Sequence, residues 1–299
     1  MTTETDLEQW LGRTETATEN IDASHIERMA VTLGSTPLDV GDALPMLWHW
    51  GLFNAAKPYE KLGADGHPET GDFLPPAGNR PRMWAGGRVD FIHPLLVGSS
   101  ATRKSTIQSI TEKEGRSGKL MFVTVQHEYA QDFVVCLREE QTIVYRQPGP
   151  ARINPTQPAP TEAQWSQDIE PSAVMLFRYS AVTFNGHRIH YDQDYATREE
   201  GYPGLVVHGP LIATLMCREF ARTHHDKVPL SLTYRGVSPL IAPAPFTVAG
   251  RLLDDAAELN PPSEEGETNA GTTDGATGVA ELWAEHNGML AHQGRLRFK

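Results

Sequence analysis

The stretch Phe177-Arg178-Tyr179-Ser180-Ala181-Val182-Thr183-Phe184-Asn185-Gly186-His187-Arg188-Ile189-His190-Tyr191-Asp192 is the most informative part of this 299-residue chain. Its apolar first half reads as a strand that ends at Phe184. Asn185-Gly186 predicts a tight turn. A short segment then presents His187 and His190. An amide, two imidazoles and the Asp192 carboxylate thus fall within eight residues, a grouping suited to acid–base chemistry. Beyond Tyr195-Ala196, the run Gly204-Leu205-Val206-Val207-His208-Gly209-Pro210-Leu211 leads into a helix expected from 210 to about 224. Pro210 suits the first helical position, where no amide hydrogen bond is lost. Leu211, Ile212, Leu215, Met216 and Phe220 make a broad apolar stripe, so this helix should be buried.

Working outward, the two halves of the chain look alike. Pro94-Leu95 and Pro239-Leu240 lie 145 residues apart, close to half the length. Three strand-like runs follow each pair, at 101–113, 119–129 and 133–146, and at 246–253, 279–286 and 291–298. A second helix is expected at 23–33, with Asp22 as its N-cap and Gly34 as its stop. Order and spacing predict two copies of one α+β unit, at 1–147 and 171–299. A Pro-rich connector begins at 148 and runs to 170. From 254 to 278 the chain carries seven acidic residues, no Lys or Arg and almost no bulky apolar residue. Such a segment buries too little to offset its ordering entropy, and reads as a mobile hairpin loop.

With 26 basic and 38 acidic residues, the net charge is −12. That argues against a nucleic-acid binder, which needs phosphate neutralisation. The acidic loop accounts for seven of these charges and leaves the remaining chain at −5. Hydrophobic residues at 39% fit a globular protein. No apolar run is long enough to span a bilayer. The polar, acidic start resembles no signal peptide, so a cytoplasmic protein is expected. Cys136 and Cys217 form no metal motif and read as buried thiols. His224-His225-Asp226 sits at a helix end and reads as a solvated turn, so no metal site is expected.

In these motifs the chain resembles the MaoC-like enoyl-CoA hydratases of the hot dog superfamily. Their signature is roughly Gly-Asp-x-Asn-Pro-x-His, followed by an Ala and an Ala-His-Gly-(Met/Pro)-Leu helix start. The signature His falls on His190, the Ala on Ala196, and the helix start on Val207-His208-Gly209-Pro210-Leu211. The signature Asp falls on Asn185, a departure. Phe184-Asn185-Gly186-His187-Arg188-Ile189-His190-Tyr191-Asp192 resembles the type 2 hydroxyacyl-thioester dehydratase branch. Within that branch it resembles the hydratases of mesaconyl-C4-CoA (3-methylfumaryl-CoA) and itaconyl-CoA. Leu44-Pro45-Met46-Leu47-Trp48-His49-Trp50, Phe73-Leu74-Pro75-Pro76 and Arg82-Met83-Trp84-Ala85-Gly86-Gly87-Arg88 resemble the branch's degenerate first unit.

The resemblance implies a double hot dog, with two antiparallel sheets each wrapped round a central helix. It implies syn hydration of an α,β-unsaturated CoA thioester to citramalyl-CoA, with CoA as part of the substrate and no cofactor. His190 would activate water. Asn185 would orient water or substrate, since it cannot accept a proton. The Gly209 amide would receive the thioester oxygen, or Gly209 would simply let helix and strand pack. Asp192 would orient His190 or cap the next turn. His187 would line the pocket or sit on a surface turn, and His208 would pack near the helix start. Arg178, Arg188 and Arg235, with Arg82 and Arg88 from the first unit, are candidate partners for carboxylate and phosphates. Trp84, with Trp48 and Trp50, would wall the acyl pocket or join the core. Fusion of two units satisfies the usual pairing edge and leaves room for a homodimer. Three readings compete with this one. They are a fatty-acid 3-hydroxyacyl-thioester dehydratase, a hot dog thioesterase, and a non-catalytic acyl-thioester binder.

Overall fold

The computed structural model describes residues 7–78, 80–115, 118–147, 149, 156–253 and 275–299. The first unit contains β1 (Thr14–Asn20), α1 (Ala23–Thr32), β2 (Arg82–Phe91), β3 (Ser100–Gly115), β4 (Gly118–Gln131) and β5 (Val134–Arg146). The second begins with β6 (Trp165–Ile169) and α2 (Ala173–Val182). It continues through β7 (Leu205–Val206), α3 (Gly209–Thr223), β8 (Pro229–Gly236), β9 (Ile241–Ala242), β10 (Phe246–Leu253), β11 (Gly278–His286) and β12 (Met289–Phe298). The strand order β1-β3-β4-β5-β2-β8-β12-β11-β10-β6 is a palindrome about the β2–β8 pair. That symmetry is the internal repeat in three dimensions. The two expected sheets therefore run into one, joined antiparallel with Arg88 opposite Thr233.

Local chemistry sets the helices. Asp22 caps α1 by accepting from the amides of Ser24 and His25, and Ser172 caps α2 by accepting from Met175 N at 3.1 Å. Leu211, Ile212, Leu215, Met216 and Phe220 of α3 are all buried, and the helix packs on β6, β10, β11 and β12. In the first unit two short 3-10 turns, Trp48–Gly51 and Tyr59–Lys61, are the helical elements between α1 and β2 among the described residues. Among the described residues that unit has no counterpart of the long helix α3.

Two expectations need revision. Residues 177–182 belong to helix α2, not to a strand. An even mixture of apolar residues hid the helical period; Ser172 after Pro171 was the available signal. β6 lies in the stretch read as connector and pairs with β10, with Phe246 opposite Ile169. Most of the acidic segment, 254–274, lies outside the described residues, and the strands flanking it pair with Leu253 opposite Val279. Cys136 and Cys217 are free and buried. Among the described residues, no helix is long and apolar enough to cross a membrane.

Candidate active site

Helix α2 ends in a backbone device that delivers the turn carrying Asn185, His187 and His190. Phe184 adopts a left-handed conformation, φ 49°. The Asn185 amide donates to Ser180 O at 2.8 Å and the Phe184 amide to Ala181 O at 3.3 Å, the two bonds of a Schellman motif. Without glycine this costs about 1–2 kcal/mol, and it turns Asn185 into a cleft of about 1560 Å³. Asn185 Oδ1 accepts from the His187 amide at 3.0 Å, which leaves the side-chain NH2 to face a ligand. A 3-10 turn, Arg188–His190, then brings His190 inward.

The ring of His190 is buried and fixed on two sides. Its Nδ1 lies 2.7 Å from Val206 O. A carbonyl only accepts, so Nδ1 carries the proton and Nε2 offers a lone pair. The ring of His208 stacks on it at 3.6 Å between centroids, and His208 Nε2 is held 2.8 Å from Ser180 Oγ. Burial pushes His190 down to about 4, against the Val206 bond, which raises it. It is therefore a neutral base near pH 7. Burial, with His190 and His187 beside it, holds His208 well below the ordinary range.

His190, Asn185, His187, Gly209 and Trp84 meet in the cleft. Gly209 opens α3, where helix amides lack intrahelical acceptors and the helix dipole is positive. A Cβ there would lie 2.6 Å from Trp84 Cε3, so this glycine allows close packing, and its amide, at the helix start, has no intrahelical acceptor. Trp84 stacks on Tyr234 at 4.7 Å and meets Trp50 edge-on at 5.6 Å.

Of the other sequence candidates, Arg82 also lines this cleft, whereas Asp192, Arg188, Arg178, Arg235 and Arg88 do not. Asp192 does not touch His190. It accepts from Arg188 Nη2 at 2.7 Å and from the Tyr195 amide at 3.0 Å, so it caps the next turn. Arg188 is spent on structure: it also donates to Ala64 O at 3.0 Å and covers the Tyr195 ring. Arg178 and Arg235 are exposed and do not line the cleft. Arg88 pairs with Asp90 at 2.6 Å.

The first unit contributes groups that no local pattern announced. Loop 63–68 crosses the 185–190 turn glycine on glycine: a Cβ on Gly66 would collide with Gly186 O, and the Arg188 amide donates to Asp65 O at 2.9 Å. His67 is thereby set 4.2 Å from His187, ring to ring. Asp65 Oδ2 holds His67 Nδ1 at 2.9 Å. Deeper in the same cleft, Glu139 is 1% exposed. Trp50 Nε1 (2.9 Å), Tyr129 OH (3.0 Å) and Tyr234 OH (3.2 Å) donate to it, and His49 Nε2 lies 3.2 Å away. Burial opposes its ionisation, but the His49 hydrogen bond and charge, with the other donors, bring it down to about 2.

Neutral buried histidines make stability acid-sensitive. Burial pushes His127, His190 and His292 each to about 4, below the roughly 6.5 of an unfolded chain. Between those values the unfolded state binds protons that the native state refuses. Stability is thus full above about pH 6.5 and is lost as pH falls towards 4, by about 1.4 kcal/mol per unit for each ring. Glu139 acts in the same direction at lower pH. Thermal unfolding should show Tm falling by roughly 10 °C between pH 6.5 and 5; a flat Tm would contradict neutral burial of these rings.

A neutral His190 thus stacks on His208, the residue that precedes helix α3, beside that helix's N-terminus. The chain belongs to the hydroxyacyl-thioester dehydratase type 2 family, which matches residues 47–242. It is 42% identical over 274 residues to the mesaconyl-C(4)-CoA hydratase of Chloroflexus aurantiacus, covering 90% of this chain and 97% of that one. It is 29% identical over 248 residues to the mitochondrial hydroxyacyl-thioester dehydratase type 2 of Schizosaccharomyces pombe, covering 72% and 82%. A solved MaoC-like dehydratase superposes with TM-score 0.71 at 13% identity, over 98% of each chain.

Proposed function

We propose that this enzyme adds water to a branched C5 dicarboxylic enoyl-CoA, with mesaconyl-C4-CoA as substrate and citramalyl-CoA as product. One observation carries the choice of substrate: the 42% identity extends over 97% of a hydratase of that thioester. The Nε2 lone pair of His190 takes a proton from water as the oxygen bonds to Cβ. The double-bond electrons move onto the thioester oxygen, where the Gly209 amide stabilises the developing charge. The imidazolium then returns its proton to Cα, and the thioester survives. Asn185 holds the water or the thioester through its NH2 group. The reaction uses no cofactor, since CoA arrives as part of the substrate. The fatty-acid dehydratase reading rests on the more distant yeast relative.

A spectrophotometric panel tests the assignment. Mesaconyl-C4-CoA, crotonyl-CoA and a long-chain enoyl-CoA are compared for loss of enoyl-thioester absorbance, and itaconyl-CoA, whose double bond is not conjugated with the thioester, for formation of the hydrated CoA ester by mass. The dicarboxylates are expected to turn over fastest. Higher kcat/KM on crotonyl-CoA or the long chain than on both dicarboxylates would overturn it.

A further inference from the structure

The dicarboxylic substrate bears a carboxylate on the carbon that receives the hydroxyl. That anion must sit beside the His190 centre, yet Arg178, Arg188 and Arg235 are outside the cleft or engaged elsewhere. We infer that Arg82 of β2, with His67 and His187, forms the receptor for the substrate's free carboxylate and selects dicarboxylic over monocarboxylic acyl groups. The inference rests on the function proposed above and names the part of the site that would read the substrate.

Placement on the strand is the first argument. Arg82 and Trp84 are two residues apart on β2, so their side chains leave the same face, about 7 Å apart along the strand. Both line the cleft. Trp84 covers Gly209, the proposed seat of the thioester oxygen. Arg82 is therefore one strand repeat from that seat, at the far end of a short acyl chain.

Availability is the second argument. Among the described cations that line the cleft, Lys57 pairs with Asp72, Arg103 with Glu15 and Arg146 with Glu200, while Arg13 lies over Trp10. Arg82 makes no hydrogen bond or ion pair to a described residue and is half-buried. A half-buried guanidinium with five free donors is matched to a carboxylate. Opposite it on β5 stands Tyr145, whose buried hydroxyl has no hydrogen-bond partner. Cross-strand partners share a face, so this phenol is a further idle donor beside Arg82.

The neighbouring imidazoles complete the receptor. The rings of His67, His187 and His190 follow one another at 4.2 and 5.3 Å, so the receptor adjoins the base. Asp65, His67 and His187 also bring one ligand atom each within 4.8 Å of one another, a spacing that a divalent cation would accept. Two features favour an anion instead. Asp65 is already occupied, with Oδ1 accepting from the His67 amide at 3.0 Å and Oδ2 from its ring. The Arg82 charge also bears on all three residues and repels a cation.

The test compares Arg82→Gln and Arg82→Lys with wild type. Two quantities are read: the ratio of kcat/KM on mesaconyl-C4-CoA to that on crotonyl-CoA, and the ratio of Kd for the unreactive pair succinyl-CoA and butyryl-CoA. Arg82→Gln should reduce the dicarboxylate preference at least about 100-fold, and Arg82→Lys by roughly 10-fold. The binding ratio needs no chemistry and should move in parallel. Equal losses on both acyl types, or unchanged ratios, would overturn the receptor. Wild type that prefers crotonyl-CoA would instead overturn the proposed substrate, and the receptor with it. Metal co-purifying with wild type, with activity lost to a chelator and restored by zinc, would reassign the cluster to a cation. Should Arg82→Gln fail to fold, Arg82→Lys decides by the same ratios.

Discussion

His190→Ala is expected to lower kcat by about 10²–10⁴-fold, with substrate binding largely retained. The proposed mechanism gives this residue both steps of the reaction. The Val206 carbonyl fixes its tautomer, so the free Nε2 is the proton acceptor from water and then the donor to Cα. Asn185 cannot substitute, because an amide does not take up a proton. The cavity left by the ring adjoins His208, and some loss of stability will accompany the change. His190→Gln fills more of that space but is equally unable to shuttle a proton, so the two variants should be comparably slow. Steady-state kinetics with parallel unfolding curves separate the effects. An activity within about 10-fold of wild type in either variant would remove His190 from the mechanism.

Glu139→Ala is expected to destabilise the protein by about 3–5 kcal/mol, read as a shift in the urea midpoint. The glutamate is the common acceptor for Trp50, Tyr129 and Tyr234, with His49 at 3.2 Å. Its loss leaves these groups buried without partners. A kinetic effect should follow the structural one. Trp50 and Tyr234, with His292, are the rings that hold Trp84, and Trp84 packs on Gly209. Under the proposed mechanism Glu139 is thus a positioning residue, which would act on the thioester site through an aromatic wall. Glu139→Gln keeps one acceptor and should fall between wild type and Glu139→Ala. A cost below about 1 kcal/mol for Glu139→Ala would mean that the network is solvated or dispensable.

What could be read from the sequence follows from how local each signal is. The strands of β3, β4, β5, β10, β11 and β12 and the helix α3 announce themselves through alternation, apolar stripes and caps within a few residues. His190 stands out because its turn and the following helix start are contiguous in the chain. The α2 helix was hidden by a mixture of aromatic and β-branched residues that packs equally well in a strand. Its Schellman turn relies on Phe184, where a helix stop usually shows glycine. Arg188 and Asp192 look like site residues from spacing, but they satisfy each other. Asp65, His67 and Glu139 carry no local pattern at all. They reach the site only because the first unit's loop and strands fold against the second, with Gly66 and Gly186 allowing the approach.

The most direct measurement runs mesaconyl-C4-CoA with wild-type enzyme in ¹⁸O-labelled water and follows the thioester and its products by mass. Water addition by His190 predicts an intact CoA ester heavier by one labelled water, with the label in the new hydroxyl, no free thiol, and far slower formation by His190→Ala. Release of free CoA with the label in a new carboxylate would contradict it, and would make this double hot dog a thioesterase.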